Sequence, residues 1–121
     1  IVMECKFHAN SRRICDVKVS LYFHSRFSDL EKQWKKNPKS KGKKYKGWIV
    51  TNTRFSGDAI KYANCVGLNL LGWKTPKKGG LKERIDASGV HPITCLTTLT
   101  SKEKKLLLKK MNSTVLVLLP T

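Results

Sequence analysis

A carboxylate and an ammonium group lie two residues apart near the start of the chain, at Glu4 and Lys6. On a β-strand, these side chains leave the same face with about 7 Å between their Cα atoms. A carboxylate is a hard oxygen ligand for Mg²⁺ or Mn²⁺, and the backbone carbonyl of Cys5 offers a second oxygen. An ammonium beside the metal can orient water or stabilise charge on a phosphate. The pair fits metal-assisted phosphodiester hydrolysis with Glu4 and Lys6 as catalytic residues, although this spacing is also common on the solvated face of a strand.

The residues around this pair predict a strand, because apolar and polar side chains alternate over residues 1–8. We expect the odd-numbered apolar side chains, from Ile1 to Phe7, to pack on the core and the even-numbered ones to face the other way. His8 shares the predicted face of Glu4. It would either support the metal site and contact a phosphate, or serve only a structural role.

Further downstream, the chain reads as alternating strands and helices. The predicted elements, in the order strand, helix, strand, helix, strand, span residues 1–8, 16–36, 47–51, 57–65 and 68–73. Asp16 and Ser56 are well placed to cap the two helices at their N-termini, and Gly67 to end the second helix. Crossovers of this kind are typical of a parallel sheet with helices on its faces, which is an α/β fold.

The charge of the chain narrows the class of partner. Its 121 residues include 25 Lys and Arg against 8 Asp and Glu, which gives a formal net charge of +17. Such a surplus predicts a polyanionic partner, most simply nucleic acid. No apolar run is long enough to cross a membrane, so we expect no membrane partner. No pair of cysteines has the spacing of a zinc site, and we expect a cytoplasmic setting and no small-molecule substrate.

Polar and basic side chains follow the three predicted strands. In a parallel sheet the carboxyl ends of the strands meet at one edge, where ligands collect. The residues that we expect to contact DNA phosphates are Lys18, Lys43, Lys44, Arg54, Lys74, Lys77 and Lys78. Asn52 and Thr53 would either support the site or only cap the turn after the second strand. Tyr45, in a lysine-rich loop, is the predicted residue for stacking on a base.

The predicted core is followed by a basic segment. We expect residues 1–96 to form the α/β core and residues 97–121 to add a basic helix and a terminal strand to the same domain. Within that helix, the three leucines at 106–108 are expected to pack on the domain while the lysines face solvent. The terminal strand is predicted at residues 115–119.

A resemblance to a known family covers nearly the whole chain. It is carried by the strings ECKFH, DVKVSLYFHSRF, WIVTNTRFSGDAIKYANCVGLNLLGW, KGGL and HPITCLTTLTSKEKKLLL. In this order they resemble an Mrr-like restriction-endonuclease domain, of the branch found downstream of ATP-cone modules. The resemblance implies the PD-(D/E)xK nuclease fold, a mixed sheet flanked by helices, which cuts DNA with a metal-bound Asp on one strand and (D/E)xK on the next. Glu4 and Lys6 match the (D/E)xK positions.

The same resemblance implies that part of the fold is missing. The family's Asp lies upstream of the (D/E)xK motif, so we expect this chain to lack that Asp, the N-terminal helix and the first strands. The prediction is a metal-dependent DNA endonuclease domain of the restriction or defence type, with Mg²⁺ or Mn²⁺ as cofactor. The alternatives are a non-catalytic basic DNA-binding module and an inactive fragment of the nuclease. A third alternative is a domain whose open sheet edge binds another chain, for instance in a homodimer.

Overall fold

A computed structural model describes residues 1–89, 91 and 96–110. The chain divides into two compact units, residues 1–81 and residues 82–121, which are described separately. The boundary predicted after residue 96 differs from this division. Among the described residues, those that form the buried core of the first unit all lie between Cys15 and Leu68.

The first unit is built on a three-stranded parallel sheet. Its strands are β1 (Val2–Lys6), β3 (Gly47–Thr51) and β5 (Asn69–Leu71), and they lie in the order β1-β3-β5. The crossovers are the helices α1 (Val17–Lys35) and α2 (Gly57–Val66). The predicted α/β fold, with a sheet flanked by helices, is confirmed.

A second, shorter ladder was not predicted from the sequence. The strand β2 (Ile14–Cys15) pairs in parallel with β4 (Arg54–Phe55), and the backbone N–H of Ser56 donates to the carbonyl of Cys15 at 2.9 Å. A strand of two residues is too short to show an alternation of apolar and polar side chains, so this pairing cannot be predicted from the sequence. The ladder fixes the segments that follow β1 and β3 against each other.

Both helices lie on the same face of the sheet. Right-handed crossovers that step in one direction place their helices on one side, and α1 and α2 pack against each other. The buried apolar side chains of this layer are Cys15, Phe23, Phe27, Ile49, Phe55, Ala59, Ala63 and Leu68. On α1, Phe23 and Phe27 lie one turn apart and are both buried in this layer.

The direction predicted for the side chains of β1 is wrong. The odd-numbered residues Ile1, Met3 and Phe7 are 84%, 54% and 79% exposed. In the register of the sheet, Glu4 lies opposite Ile49, which is fully buried beneath the helices. Opposite residues of neighbouring strands share a face, so the even-numbered side chains of β1 turn towards α1. Alternation identifies two faces of a strand, but the crossovers decide which face is covered.

The capping residues predicted for α1 and α2 are confirmed. The side chain of Asp16 accepts a hydrogen bond from the backbone N–H of Lys18 at 3.0 Å. Ser56 accepts one from the N–H of Ala59 at 3.1 Å. Gly67 ends α2 with φ of +74°, a conformation that favours glycine.

The second unit contains the helix α4 (Ser101–Lys110) and all of the helix α3 (Leu81–Ser88) except its first residue. The N–H and hydroxyl of Thr100 donate to Glu103 at 2.7 and 2.6 Å, and these bonds hold the pKa of Glu103 below its usual value. Among the described helices, none combines the length and apolar content needed to cross a membrane.

The packing predicted for the three leucines of α4 is wrong for two of them. Leu106 and Leu108 are 60% and 39% exposed, and only Leu107 is half-buried. Three consecutive residues of a helix project over most of its circumference, so they cannot all face one neighbour. The strand predicted at residues 115–119 lies outside the described residues.

Candidate active site

The Glu4 carboxylate and the Lys6 ammonium leave the same face of β1. Lys6 Nζ lies 2.9 Å from Glu4 Oε1, and the side chains are 36% and 20% exposed, respectively. This distance is within hydrogen-bonding range, so the ion pair is direct. Water still reaches both groups, and an incoming ligand can therefore displace one from the other.

The helix α1 adds two residues that the sequence analysis missed. Arg26 Nη1 lies 3.7 Å from Glu4 Oε2 and donates to the hydroxyl of Tyr22 at 3.3 Å. The ammonium of Lys6 and the guanidinium of Arg26 lie 6.0 and 5.5 Å from the centre of the Tyr22 ring. Tyr22 and Arg26 are four residues apart and so share a helix face, but no local signal places that face beside Glu4.

This cluster of Glu4, Lys6, Tyr22 and Arg26 has one formal negative charge and two positive charges. The carboxylate is therefore matched by one cation, and the second cation leaves a net positive charge at the site. Such a site favours the approach of an anion such as a phosphate. The carboxylate itself keeps the oxygen donors that a hard divalent cation requires.

The backbone carbonyl of Cys5 lies at the free side of β1. The N–H of Val2 donates to the carbonyl of Lys46 at 2.8 Å, so the backbone groups of the even-numbered residues of β1 point towards β3. Those of the odd-numbered residues point the opposite way, because successive peptide groups alternate in a strand. Among the described strands, β1 stands at the edge of its sheet. The Cys5 carbonyl is therefore not used in the ladder with β3.

These donors fit the hard cation predicted from the sequence. Mg²⁺ is commonly bound through one or two carboxylates, with water and substrate phosphate as its other ligands. Glu4 would supply the carboxylate and Cys5 the carbonyl oxygen. Within the described residues, no cluster of three or more His, Cys, Asp or Glu side chains accompanies them.

The segments after β1, β3 and β5 meet at one edge of the sheet, as predicted. The N–H of His8 donates to Asn52 Oδ1 at 2.8 Å, and Asn52 Nδ2 donates to the carbonyl of His8 at 2.8 Å. The N–H of Trp73 donates to the carbonyl of Thr53 at 2.8 Å. Asn52 and Thr53 thus connect the three segments.

A chain of polar side chains runs inwards from this edge. The ring of His8 approaches the thiol of Cys15 at 3.2 Å, and that thiol lies 3.5 Å from the hydroxyl of Thr51. The hydroxyls of Thr51 and Thr53 are 3.2 Å apart. These contacts are part-buried at His8 and buried at Thr53, and the roles predicted for His8, Asn52 and Thr53 in supporting the site stay predictions.

A pocket of about 590 Å³ opens beside these strand ends. Its described lining residues are Ser11, Asn52, Thr53, Arg54, Trp73 and Lys74. Trp73 as a whole residue is 39% exposed. The sequence analysis placed Trp73 in the third strand, but β5 ends at Leu71 and the indole is free to line the pocket.

Two of the seven predicted phosphate contacts, Arg54 and Lys74, line this pocket. The other five are exposed elsewhere on the surface: Lys18, Lys43, Lys44, Lys77 and Lys78. Tyr45, the predicted stacking residue, packs against Trp34 with ring centres 5.1 Å apart and joins the edge of the core. Its ring is therefore engaged within the fold, and Trp73 is the better stacking candidate.

Comparison with known proteins finds relatives without an assigned activity. No family model matches the chain. An uncharacterized protein of Archaeoglobus fulgidus is 41% identical over 95 residues, which are 78% of this chain and 49% of the relative. The crystal structure of the protein of unknown function AF1548 matches with a TM-score of 0.64 and 36% identity, over 89% of this chain and 53% of the other. The chain thus spans about half the length of the proteins it matches.

Proposed function

We propose that the chain forms part of a metal-dependent DNA endonuclease domain of the restriction or defence type. The observation that carries this proposal is the Glu4 carboxylate held 2.9 Å from the Lys6 ammonium on a strand of a parallel sheet. The resemblance to Mrr-like domains, in which these positions are (D/E)xK, supports the same function. The net charge of +17 supports DNA as the substrate.

Glu4, Lys6 and Arg26 have distinct tasks in this proposal. Glu4 and the Cys5 carbonyl would hold Mg²⁺ or Mn²⁺, and an ion bound there would supply Lewis-acid activation of water and positive charge for the phosphate. Lys6 donates to the attacking water or to the phosphate oxygens, where negative charge develops. Arg26 supplies a second positive charge from α1. In the Mrr-like family, an upstream Asp completes the set of acidic ligands.

Removal of the metal tests this proposal directly. The chain, with any residues that its gene encodes before Ile1, is incubated with supercoiled plasmid and Mg²⁺, and nicked and linear products are resolved on a gel. We expect cleavage with Mg²⁺ or Mn²⁺, none after chelation with EDTA, and recovery when Mg²⁺ is restored in excess. Intact plasmid in all of these conditions would contradict the proposal.

A non-catalytic DNA-binding module is the second candidate, and the exposed lysines favour it. Lys43, Lys44, Lys77 and Lys78 are all exposed, and phosphate contacts by such residues release counterions. With about four such contacts, duplex affinity is expected to fall roughly 100-fold between 50 and 200 mM salt. Fluorescence anisotropy of a labelled duplex measures this. A nearly flat salt dependence would contradict charge-driven binding, and a steep one without cleavage would favour this candidate over the nuclease.

A further inference from the structure

We propose that the pocket beside the strand ends binds one unstacked nucleotide of a DNA strand. Its base lies on the indole of Trp73, and its phosphate is held by Arg54 and Lys74. This inference rests on the proposed DNA partner but not on cleavage. The pocket would thus contact the DNA strand at a place separate from the cluster of Glu4, Lys6, Tyr22 and Arg26.

The backbone that carries the Trp73 indole is firmly held. Its N–H donates to the carbonyl of Thr53 at 2.8 Å, and the preceding Gly72 exchanges hydrogen bonds of 2.8 and 3.3 Å with Thr75. A Cβ on Gly72 would lie 3.1 Å from the Thr53 carbonyl and 3.2 Å from the Phe55 ring. Glycine therefore permits the close approach that sets Trp73 at the pocket. Because this backbone is ordered before binding, less conformational entropy is lost when a ligand stacks on the ring.

The charge of the pocket selects an anion. Arg54 and Lys74 are its charged residues, and no acid occurs among the described residues that line it. A guanidinium can donate two parallel hydrogen bonds to a phosphate, and an ammonium adds a point charge. An aromatic ring beside two cations is the arrangement that binds a base and its phosphate together in single-stranded nucleic acid.

The polar lining residues leave hydrogen-bonding capacity for a base edge. Asn52 uses Oδ1 and Nδ2 once each on the backbone of His8, which fixes its amide. An amide has four hydrogen-bonding positions, so one N–H and one lone pair remain. The volume of about 590 Å³ is within the usual range of small-molecule pockets.

These features favour a base outside the double helix. Within a duplex both faces of a base are covered by its neighbours, so its ring cannot stack on an indole. A base at a single-stranded stretch or one turned out of the duplex has a free face. The inferred ligand is therefore a nucleotide that is already unstacked or becomes unstacked when the protein binds.

The test compares single-stranded and duplex DNA without metal, so that cleavage does not enter. Anisotropy of a labelled oligothymidylate of about 12 nucleotides measures the affinity of the wild type and of Trp73→Ala. We expect the substitution to weaken single-strand binding by about 5- to 100-fold and duplex binding by less than about twofold. Trp73→Phe should retain most of the affinity, because phenylalanine keeps an aromatic face.

A control variant separates stacking from loss of exposed apolar surface. Leu108 in α4 is 39% exposed, as Trp73 is, and Leu108→Ala should leave single-strand binding unchanged. Arg54→Ala should lower the slope of log affinity against log salt concentration for single-strand binding by about 1, the value expected for the loss of one phosphate contact. Quenching of tryptophan fluorescence by the oligonucleotide should disappear in Trp73→Phe.

Three results would overturn the inference. In the first, Trp73→Ala and the wild type bind single-stranded DNA with equal affinity. In the second, Trp73→Ala loses as much affinity for the duplex as for the single strand. In the third, the wild type binds oligouridylate more tightly than oligothymidylate, which would indicate RNA rather than DNA. None of these results bears on plasmid cleavage with Mg²⁺. The inference about the pocket and the proposed nuclease activity can therefore fail independently.

Discussion

Replacing Lys6 by alanine is expected to lower the rate of plasmid cleavage by about 100-fold or more. In the proposed mechanism the ammonium would face the phosphate where negative charge develops, and removing one preorganised donor of this kind has an effect of that size. Binding of duplex DNA should change little, because many other basic residues contribute to it. Lys6 is 36% exposed in its ion pair with Glu4, so its loss should lower the free energy of unfolding by less than about 1 kcal/mol.

Glu4→Gln tests the proposed role of Glu4 in binding the metal separately from the proposed role of Lys6 in the reaction. The amide keeps the shape of the side chain but is a much weaker ligand for Mg²⁺. We expect it to abolish cleavage at low Mg²⁺ and to shift half-maximal activity to higher Mg²⁺. Lys6→Ala should instead lower the maximal rate. A Mg²⁺ titration of plasmid cleavage with each variant measures the difference.

The ion pair of Lys35 and Glu31 in α1 offers the matched control. Its nitrogen and oxygen are 3.0 Å apart, close to the 2.9 Å of the Lys6–Glu4 pair, but it lies outside the proposed site. Lys35→Ala should cleave plasmid at the wild-type rate. If Lys6→Ala also cleaves normally, or if both variants lose activity together, Lys6 is not the catalytic lysine.

The parts of the fold that the sequence predicts well are those fixed by neighbouring residues. The strand at residues 47–51 and the caps at Asp16, Ser56 and Gly67 match the structure. A cap depends on a hydrogen bond two or three residues along the chain, or on one backbone angle. Such features can be predicted from the sequence because they do not depend on contacts with distant segments of the chain.

The features that the sequence does not predict depend on distant segments. The covered face of β1 follows from the helices on the sheet, and the β2–β4 ladder joins segments about forty residues apart. Arg26 approaches Glu4 only because α1 packs over β1. Trp73 resembles a strand residue in the sequence, and its role in the pocket follows from the hydrogen bond to Thr53. The Glu4–Lys6 pair could be predicted from the sequence because both residues lie on one strand.

Ile49→Ala is expected to have the largest effect on stability. Ile49 is the central residue of β3 and is 0% exposed beneath the two helices. Truncation removes buried methyl and methylene groups and leaves a cavity, which costs about 2 to 5 kcal/mol in the free energy of unfolding. Urea denaturation measures the change directly. The thermal midpoint should fall as well, by roughly 4 °C for each kcal/mol in a domain of this size.

The neighbouring residue Val50 provides the control on the same strand. Its side chain points to the opposite face and is half-buried, so Val50→Ala should cost clearly less than Ile49→Ala. Equal costs would mean that the layer between sheet and helices is not the main core. Because Ile49 lies opposite Glu4 in the register, its loss should also weaken the support of the strand that carries Glu4 and Lys6. Cleavage by Ile49→Ala should therefore fall at a lower temperature than in the wild type, in step with its lower unfolding midpoint, while Lys6→Ala should lose activity at every temperature.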